Sequence, residues 1–177
     1  MPELWDLYDI DRRPLNRTIQ RGKPMHEGEY HLGVTVAVFN FQGELLLTRR
    51  APGKTFPGVW EIPAGSVQAG ETSQQAACRE LQEETGVSVI PQELTLLQRQ
   101  IRPHLHADFY AAIKNVSLED IVLQPSETDA ARWCSLENWI AEQEANASQD
   151  PAWHKQFIQP LYQPLLEYQS RKLNFHK

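Results

Sequence analysis

The sequence predicts one domain of the α/β class, with a mixed sheet flanked by helices. Strand-like runs of β-branched residues are interspersed with helix-like runs, and no repeat, low-complexity tract or linker divides the chain. The 177 residues are enough for one sizeable core. Hydrophobic residues make up 41% of the chain and charged residues 23%, which is ordinary for a globular protein.

The first part of the chain is predicted to contain a strand, a connection and a hairpin. The run "LWDLYDI" alternates weakly, as a strand does, whereas residues 12–30 are polar, contain Gly22, Pro24 and Gly28, and indicate a connecting segment. The run "YHLGVTVAVFN" strongly favours a strand, and "NFQG" indicates a turn into "ELLLTRR". We assign residues 1–28 to an N-terminal extension and residues 29–177 to the main domain.

A loop rich in glycine and proline precedes the clearest helix of the sequence. Residues 51–71 form one long loop, which in an ordered domain is usually functional. The helix that follows has Thr72 as a plausible N-cap and Gly86 as a natural stop. Further strands are predicted for the runs "VSVI", "LTLLQRQIR", "ADFYAAIKN" and "AARWCSL". Helices are predicted for the runs "SLENWIAEQEA" and "PAWHKQFIQPLYQPLLEYQSRK", and Pro160 and Pro164 are expected to kink or interrupt the second.

Charge and cysteine usage exclude several functional classes. A net charge of −6 argues against binding of nucleic-acid polymers or anionic membranes, which requires a basic surface. The two cysteines, Cys78 and Cys134, do not make a disulfide framework, and no run approaches the length of a membrane span. The N-terminus has acidic residues where a signal peptide would have a basic and then an apolar run. We therefore expect a cytoplasmic protein.

Three glutamates on the predicted helix form the strongest candidate site. Glu80, Glu83 and Glu84 fall within about one third of the helix circumference, while Ala77 and Leu81 occupy an adjacent sector. Like charges at this spacing repel unless water or a cation screens them. Several carboxylates held close together suit Mg²⁺ or Mn²⁺, although three glutamates alone are more often a solvated acidic face.

The spacing around this helix resembles the Nudix box, G-x5-E-x7-R-E-U-x-E-E-x-G-U with U aliphatic. Every fixed position matches between Gly65 and Val87. The upstream runs "HLGVTVAVFNFQGELLLTRR" and "FPGVWEIPAGSVQAGE" are also similar to the start of the Nudix fold. The resemblance implies an α/β/α sandwich with a central mixed sheet and a loop-helix-loop that carries the box. It also implies hydrolysis of a diphosphate linked to another group.

The resemblance assigns roles to individual residues. Glu80, Glu83 and Glu84 would bind Mg²⁺ or Mn²⁺ together with a backbone carbonyl at Ala64 or Gly65. Glu71 would pair with Arg79 and brace the loop, a structural role, and Gly86 would end the helix. Glu127, with Asp129 as its neighbour, matches a late acidic loop that often supplies a metal ligand or a general base, but an ordinary surface carboxylate is an equal alternative. Glu83 is the second candidate for the base.

Other residues are candidates for contacts with the substrate. Arg49, Arg50 and Lys54 lie at the end of a predicted strand and in the following loop, where they could bind phosphates or be ordinary surface bases. His104 and His106 are two residues apart, which predicts one face of a strand. The partner is expected to be a small-molecule diphosphate, and Nudix proteins are often homodimers.

Two other functions stay open on the sequence. The upstream segment also resembles type-1 isopentenyl-diphosphate isomerase, in which a histidine matching His31 binds metal. That enzyme needs a catalytic cysteine and a nearby histidine before its modified box, and "EIPAGSVQAG" contains neither. The third possibility is a nucleotide-binding module that kept the fold and lost catalysis, although the intact acidic box argues against such a loss.

Overall fold

A mixed seven-stranded sheet forms the centre of the protein in a computed structural model that describes residues 2–173. The chain begins with a separate two-stranded hairpin, β1 (Leu4–Tyr8) and β2 (Pro14–Gln20). The sheet itself contains β3 (His31–Phe39), β4 (Glu44–Arg50), β5 (Trp60–Glu61), β6 (Ala64–Ser66), β7 (Thr95–Arg102), β8 (Leu105–Ile113) and β9 (Thr128–Ser135).

The sheet is mixed: β3 pairs with β8 in parallel, and all other strand pairs of the sheet are antiparallel. The predicted hairpin of β3 and β4 is present, but the strands pair only at Phe39 and Leu45 beside the turn. Beyond that point β3 pairs with β6, and β4 pairs with β5 and β9. The opening between β3 and β4 therefore admits β6, which places the first glycine of the box in the sheet.

Two hydrophobic cores lie on opposite faces of this sheet. Val34, Val36 and Val38 of β3 face one core, whereas Ala37 and Phe39 face the other. Because side chains alternate along a strand and both faces are covered, β3 is an almost continuous apolar run. The expected layering of helix, sheet and helix is confirmed.

Helix α1 (Ser73–Thr85) covers the first face. The side chain of Thr72 accepts a hydrogen bond from the backbone of Gln75, and the chain leaves the helix at Gly86 with φ 73°. Both predicted helix ends are therefore confirmed. Ala77 and Leu81 are fully buried against the sheet, and the glutamates lie on the adjacent sector of α1, with Glu84 itself buried beside the packed side.

The C-terminal helices cover the second face. They comprise α2 (Leu136–Asn146), a short turn α3 (Pro151–Trp153) that continues through π and 3₁₀ turns, and α4 (Tyr162–Leu173). The predicted interruption coincides with Pro160, which lies in the 3₁₀ turn, whereas Pro164 lies within the first turn of α4. Phe157 and Leu161 are buried in the second core.

Two predictions of local structure are wrong, and a third is incomplete because the predicted loop of residues 51–71 contains the short strands β5 and β6. Residues 12–30 are not merely a connection, because they contain β2, whose side chains are mostly exposed and whose partner is the backbone of β1. The run Val87–Ile90 is not a strand: Val87 and Val89 are buried beneath α1 without joining the sheet. Strand β2 forms through backbone pairing although its sequence has no apolar pattern. Residues 87–90 have an apolar pattern because two of their side chains are buried, not because they form a strand.

No helix within residues 2–173 is both long enough and apolar enough to cross a membrane.

Candidate active site

The loop before α1 and the helix itself bring the box residues to one groove of about 220 Å³. Strand β6 contributes Ala64 and Gly65 to this groove, because its backbone pairs with β3 at the edge of the opening in the sheet. The carboxyl groups that line the groove belong to Glu80, Glu83 and Glu84 of α1, to Glu127 before β9, and to Glu3. The groove therefore contains every residue that the sequence proposed for metal binding.

Gly65 allows the close approach of backbone and helix in this groove. A methyl group built on its Cα would lie 1.9 Å from Cδ of Glu80, far inside any permitted contact. The backbone of β6 and the Glu80 carboxylate can share this space only when position 65 has no side chain. This contact gives a physical reason for the first glycine of the box.

Arg79 is the central cation of the site. It donates to both carboxylate oxygens of Glu71 at 2.8 and 2.9 Å and to the carbonyl oxygen of Ser66 at 3.0 Å. The same guanidinium contacts Glu80 at 2.8 Å and Glu83 at 3.2 Å. Its hydrogen bonds hold the pKa of Glu71 below the ordinary value. Arg79 therefore ties the incoming loop to the helix, which is the contact that the sequence predicted for it.

The acids do not form a closed ligand set in this conformation. Among residues 2–173, no three His, Cys, Asp or Glu side chains lie close enough to hold one metal ion. Cations of the chain contact several of these acids: Arg79 pairs with Glu80 and Glu83, and Lys54 contacts Glu127. Binding of a divalent cation would require these carboxylates to exchange one positive partner for another.

Glu84 shows that the groove nevertheless fits a cation. Its side chain is 8% exposed, and its Oε2 is buried without a hydrogen-bond partner in the described part of the chain. Burial, together with the nearby carboxylates of Glu61 and Glu80, raises the pKa of Glu84 to about 8. A buried carboxylate without a charged partner is costly. A hard divalent cation is the kind of group that would satisfy the unpartnered oxygen.

The predicted base lies in the groove, whereas the predicted phosphate-binding residues are all paired with carboxylates. Glu127 lines the groove and is held by Lys54. Arg49 donates to Asp129 at 2.6 Å, and Arg50 contacts Glu61 at 2.9 Å. Of the three basic candidates, Lys54 alone contacts a carboxylate of the groove, and none of them lines it. Their role in substrate binding stays a prediction.

His31 and His106 connect the domain to its N-terminal segment. His31 stacks on Trp5 with ring centroids 4.0 Å apart, and burial lowers its pKa. His106 contacts the carbonyl oxygen of Asp9 at 2.8 Å, and His104 that of Glu29 at 2.9 Å. His104 does not share a strand face with His106, because it lies in the turn before β8 with φ 57°. The expected pair is therefore not formed.

Two groups of residues near the groove escaped the sequence reasoning. Arg21 and Glu3, which form an ion pair of 2.8 Å, line the groove although both belong to the N-terminal segment. A larger cavity lies beside the groove and shares Ala64 with it, and Arg102, Trp60 and Trp153 belong to its wall. No motif marks these residues, because only the folded chain brings them together.

The fold and the groove agree with the hydrolase of phosphoanhydride bonds that the box predicts, because a glutamate-bearing helix lies next to the glycine-containing loop. The chain belongs to the Nudix family: the model of the NUDIX domain matches residues 29–159. An uncharacterised Nudix hydrolase of Listeria monocytogenes is 37% identical over 140 residues, which cover 76% of this chain and 81% of that protein. The protein is therefore a Nudix pyrophosphohydrolase.

Other relatives and solved structures agree with this family. The phosphatase NudJ of Escherichia coli is 38% identical over 109 residues, covering 59% of this chain and 69% of that protein. A crystal structure of DR0079 from Deinococcus radiodurans superposes with a TM-score of 0.67 at 24% identity, covering 81% and 90% of the two chains, and supports the fold. A MutT structure described for Aliivibrio salmonicida and Vibrio cholerae gives a TM-score of 0.52 at 29% identity, covering 72% and 96%.

The further resemblance to isopentenyl-diphosphate isomerase stays a prediction. The proteins compared above are described as a Nudix hydrolase, a phosphatase and MutT. Neither cysteine of this chain lines the acidic groove, since Cys78 lies on α1 beside the first core and Cys134 is buried in the second core. The groove therefore offers no thiol for the isomerase chemistry.

Proposed function

We propose that this protein is a Mg²⁺- or Mn²⁺-dependent pyrophosphohydrolase whose substrate is a nucleoside diphosphate linked to another group, or a related small organic diphosphate. The observation that carries the proposal is the buried, unpartnered carboxylate oxygen of Glu84 beside Glu80 and behind Gly65. The names of relatives support the same bond type: one is an NAD-capped RNA hydrolase NudC of Stutzerimonas stutzeri, 33% identical over 60% of this chain and 38% of that protein.

The proposed ligands are Glu80, Glu83 and Glu84, with a backbone carbonyl of Ala64 or Gly65. A divalent cation held there would neutralise the phosphate oxygens and lower the pKa of a bound water. The chain's own part is to keep these acids together on one rigid helix face, which α1 does through its buried side and both of its caps.

Glu127 is the proposed proton acceptor for the attacking water. It lines the same groove as the α1 glutamates but comes from a different segment, the turn before β9. Lys54 contacts its carboxylate, so a substrate phosphate that drew Lys54 away would free Glu127 to accept a proton. Lys54 would thereby act in substrate binding, and Arg49 and Arg50 are the other proposed phosphate-binding residues.

The test is the release of phosphate or pyrophosphate from a panel of compounds with and without Mg²⁺. The panel contains nucleoside di- and triphosphates, sugar nucleotides, dinucleotides, coenzyme A and prenyl diphosphates. We expect Mg²⁺-dependent hydrolysis of at least one nucleotide compound and its loss in excess chelator. Normal Mg²⁺ binding without turnover of any compound would instead indicate a binding module. Conversion of isopentenyl to dimethylallyl diphosphate would overturn the proposed reaction.

The cytoplasmic location, the homodimer and the division at residue 28 stay predictions. The match of the domain model begins at residue 29, next to the proposed boundary.

A further inference from the structure

A cavity of about 360 Å³ lies between the central sheet and the C-terminal helices, beside the acidic groove. Its wall contains the aromatic rings of Trp60, Phe109 and Trp153. Amide side chains of Gln143 and Asn146, from the end of α2, line the same space. The cavity thus combines flat apolar surfaces with hydrogen-bonding groups, a combination typical of sites for small planar ligands.

Arg102 is the cation of this cavity, and its guanidinium lies over three aromatic rings. The distances from Cζ to the ring centroids are 4.8 Å for Phe157, 5.0 Å for Trp153 and 5.3 Å for Phe109. The side chain also donates to the amide oxygen of Gln100 at 3.0 and 3.3 Å. These contacts hold the guanidinium in one orientation before any ligand arrives.

Arg102 has no carboxylate within ion-pair distance in residues 2–173. Most of the other arginines described there are paired, including Arg12, Arg49, Arg79 and Arg132. Asp150 lines the same cavity, but its carboxylate accepts a hydrogen bond from the backbone of Trp153 at 3.0 Å. Burial lowers the pKa of Arg102 to about 10, so the guanidinium still carries its charge at neutral pH.

The position of Arg102 connects the cavity with the acidic groove. A second, smaller groove, lined by Arg102, Gly65 and Ser66, runs past the glycine of the box. Ala64 belongs to this groove, to the aromatic cavity and to the acidic groove. An anionic group that leaves the acidic groove toward the cavity therefore meets Arg102 on its way.

We propose that the aromatic cavity binds the base of a nucleotide substrate and that Arg102 pairs with the phosphate next to the nucleoside. This inference rests on the proposed function, because it takes the scissile diphosphate to lie in the acidic groove. A heterocyclic base has π faces for the tryptophans and polar edges for the amides of α2. A prenyl chain has neither of these features and a sugar lacks the flat face, so the cavity selects nucleotides among small diphosphates.

The test measures binding of product-like ligands without metal, so that it does not depend on turnover. Intrinsic tryptophan fluorescence and calorimetry in chelator would report binding of AMP, GMP, CMP and UMP, with the matching nucleosides and inorganic phosphate as comparisons. Arg102→Met keeps an apolar side chain over the rings but removes the charge. We expect this variant to bind the preferred monophosphate at least about tenfold more weakly and its nucleoside without change.

Three further variants make the result decisive. Arg102→Lys keeps the charge and should recover part of the lost affinity, and it also serves if Arg102→Met does not fold. Trp153→Leu replaces a side chain that is 43% exposed and should weaken the binding of the monophosphate and of the nucleoside alike. Arg13→Gln removes an exposed arginine outside the cavity and should leave the affinity for both ligands unchanged.

The proposal is overturned if none of the four monophosphates binds, or if Arg102→Met binds the preferred one as the parent does. It is also overturned if inorganic phosphate binds as tightly as the nucleotide. Hydrolysis is scored separately: turnover of a diphosphate without binding of any monophosphate would retain the proposed function and reject this site. Binding of a monophosphate without turnover of any diphosphate would support this site and reject the proposed function.

Discussion

At the scale of single residues, Glu84 has the most unusual environment in the groove. Its pKa of about 8 results first from burial and then from the neighbouring carboxylates of Glu61 and Glu80. Without a cation, the folded protein therefore holds a proton at Glu84 that the unfolded chain releases near pH 4.5. Stability that depends on this proton is fully present below about pH 4.5 and is lost as the pH rises through about 8.

Glu84→Gln should therefore stabilise the metal-free protein, and more so at alkaline pH. The difference between 4.5 and about 8 sets an upper limit of about 5 kcal/mol for the cost that the charge imposes. Thermal unfolding would be measured in chelator at pH 5 and pH 9. The difference in Tm between parent and variant should be larger at pH 9. Glu27→Gln, at an exposed position, should show no such widening. A gap that is equal at both pH values would contradict the assignment.

Gly65→Ala tests the close approach between β6 and Glu80. Because the added methyl group meets the flexible end of Glu80, we expect the carboxylate to move while the fold survives, with a stability loss below about 1 kcal/mol. Mn²⁺ affinity should fall at least about tenfold, as measured by electron paramagnetic resonance. Gly53→Ala is the matched control, since a methyl group there meets no atom within 4 Å. Parent-like Mn²⁺ affinity in Gly65→Ala would rule out this role.

At the scale of elements, the functional unit is α1 with the loop before it. Arg79 connects the two through Glu71 and the carbonyl oxygen of Ser66, while the capping box and Gly86 fix the ends of the helix. Glu71 contributes stability above its unfolded pKa, and this contribution is lost as the pH falls, because its pKa in the folded protein is lowered. The loop is therefore held by a charged contact as well as by backbone pairing.

Glu71→Gln should act on stability before it acts on chemistry. Loss of the bidentate pair should cost roughly 1–2 kcal/mol of unfolding free energy near pH 7 and less near pH 4. Chemical denaturation at the two pH values would measure this difference. The control is Glu93→Gln, which breaks an exposed pair with Lys114 and should cost less than about 1 kcal/mol. A variant as stable as the parent, or a larger loss at pH 4, would refute the bracing role.

The sequence allowed the acids of α1 to be predicted as a group because helical spacing is local. The pairing of Glu71 with Arg79 followed from the family motif, and the structure shows the contact at 2.8 Å. The contacts of Lys54 with Glu127 and of Arg49 with Asp129 could not be predicted, because each joins residues more than seventy positions apart. Arg102 escaped for the same reason, since its surroundings come from β7, β8 and the C-terminal helices.

At the scale of the whole molecule, the N-terminal hairpin is docked onto the box loop. The carbonyl oxygen of Leu4 accepts a hydrogen bond from Ala69 at 2.8 Å, and Asp6 accepts one from Gly70 at 2.8 Å. On the far side of the hairpin, Arg12 pairs with the fully buried Asp108 at 2.6 and 2.5 Å. The layered core could be predicted from apolar patterns, whereas this docking could not, because it consists of polar contacts between distant segments.

Arg12→Gln should loosen the hairpin and destabilise the fold. Removing one partner of a buried pair costs about 3–5 kcal/mol, and Arg99 at 3.5 Å from Asp108 should reduce the loss to roughly 2 kcal/mol. Denaturant unfolding would measure the loss, and faster amide exchange in β1 and β2 would locate it. The double variant Arg12→Gln/Asp108→Asn should recover part of the stability that Arg12→Gln loses. Arg13→Gln, at an exposed position, should change the stability little. An equal loss of stability in Arg12→Gln and Arg13→Gln would contradict the docking.

The central claim is that the α1 glutamates hold the divalent cation that hydrolysis needs, and Glu83→Gln tests it most directly. The measurement pairs Mn²⁺ titration by electron paramagnetic resonance with Mg²⁺-dependent turnover of the best substrate from the panel. We predict at least about tenfold weaker Mn²⁺ binding, a decrease in kcat of two or more orders of magnitude, and parent-like thermal unfolding. Parent-like Mn²⁺ binding and turnover by Glu83→Gln would contradict the claim.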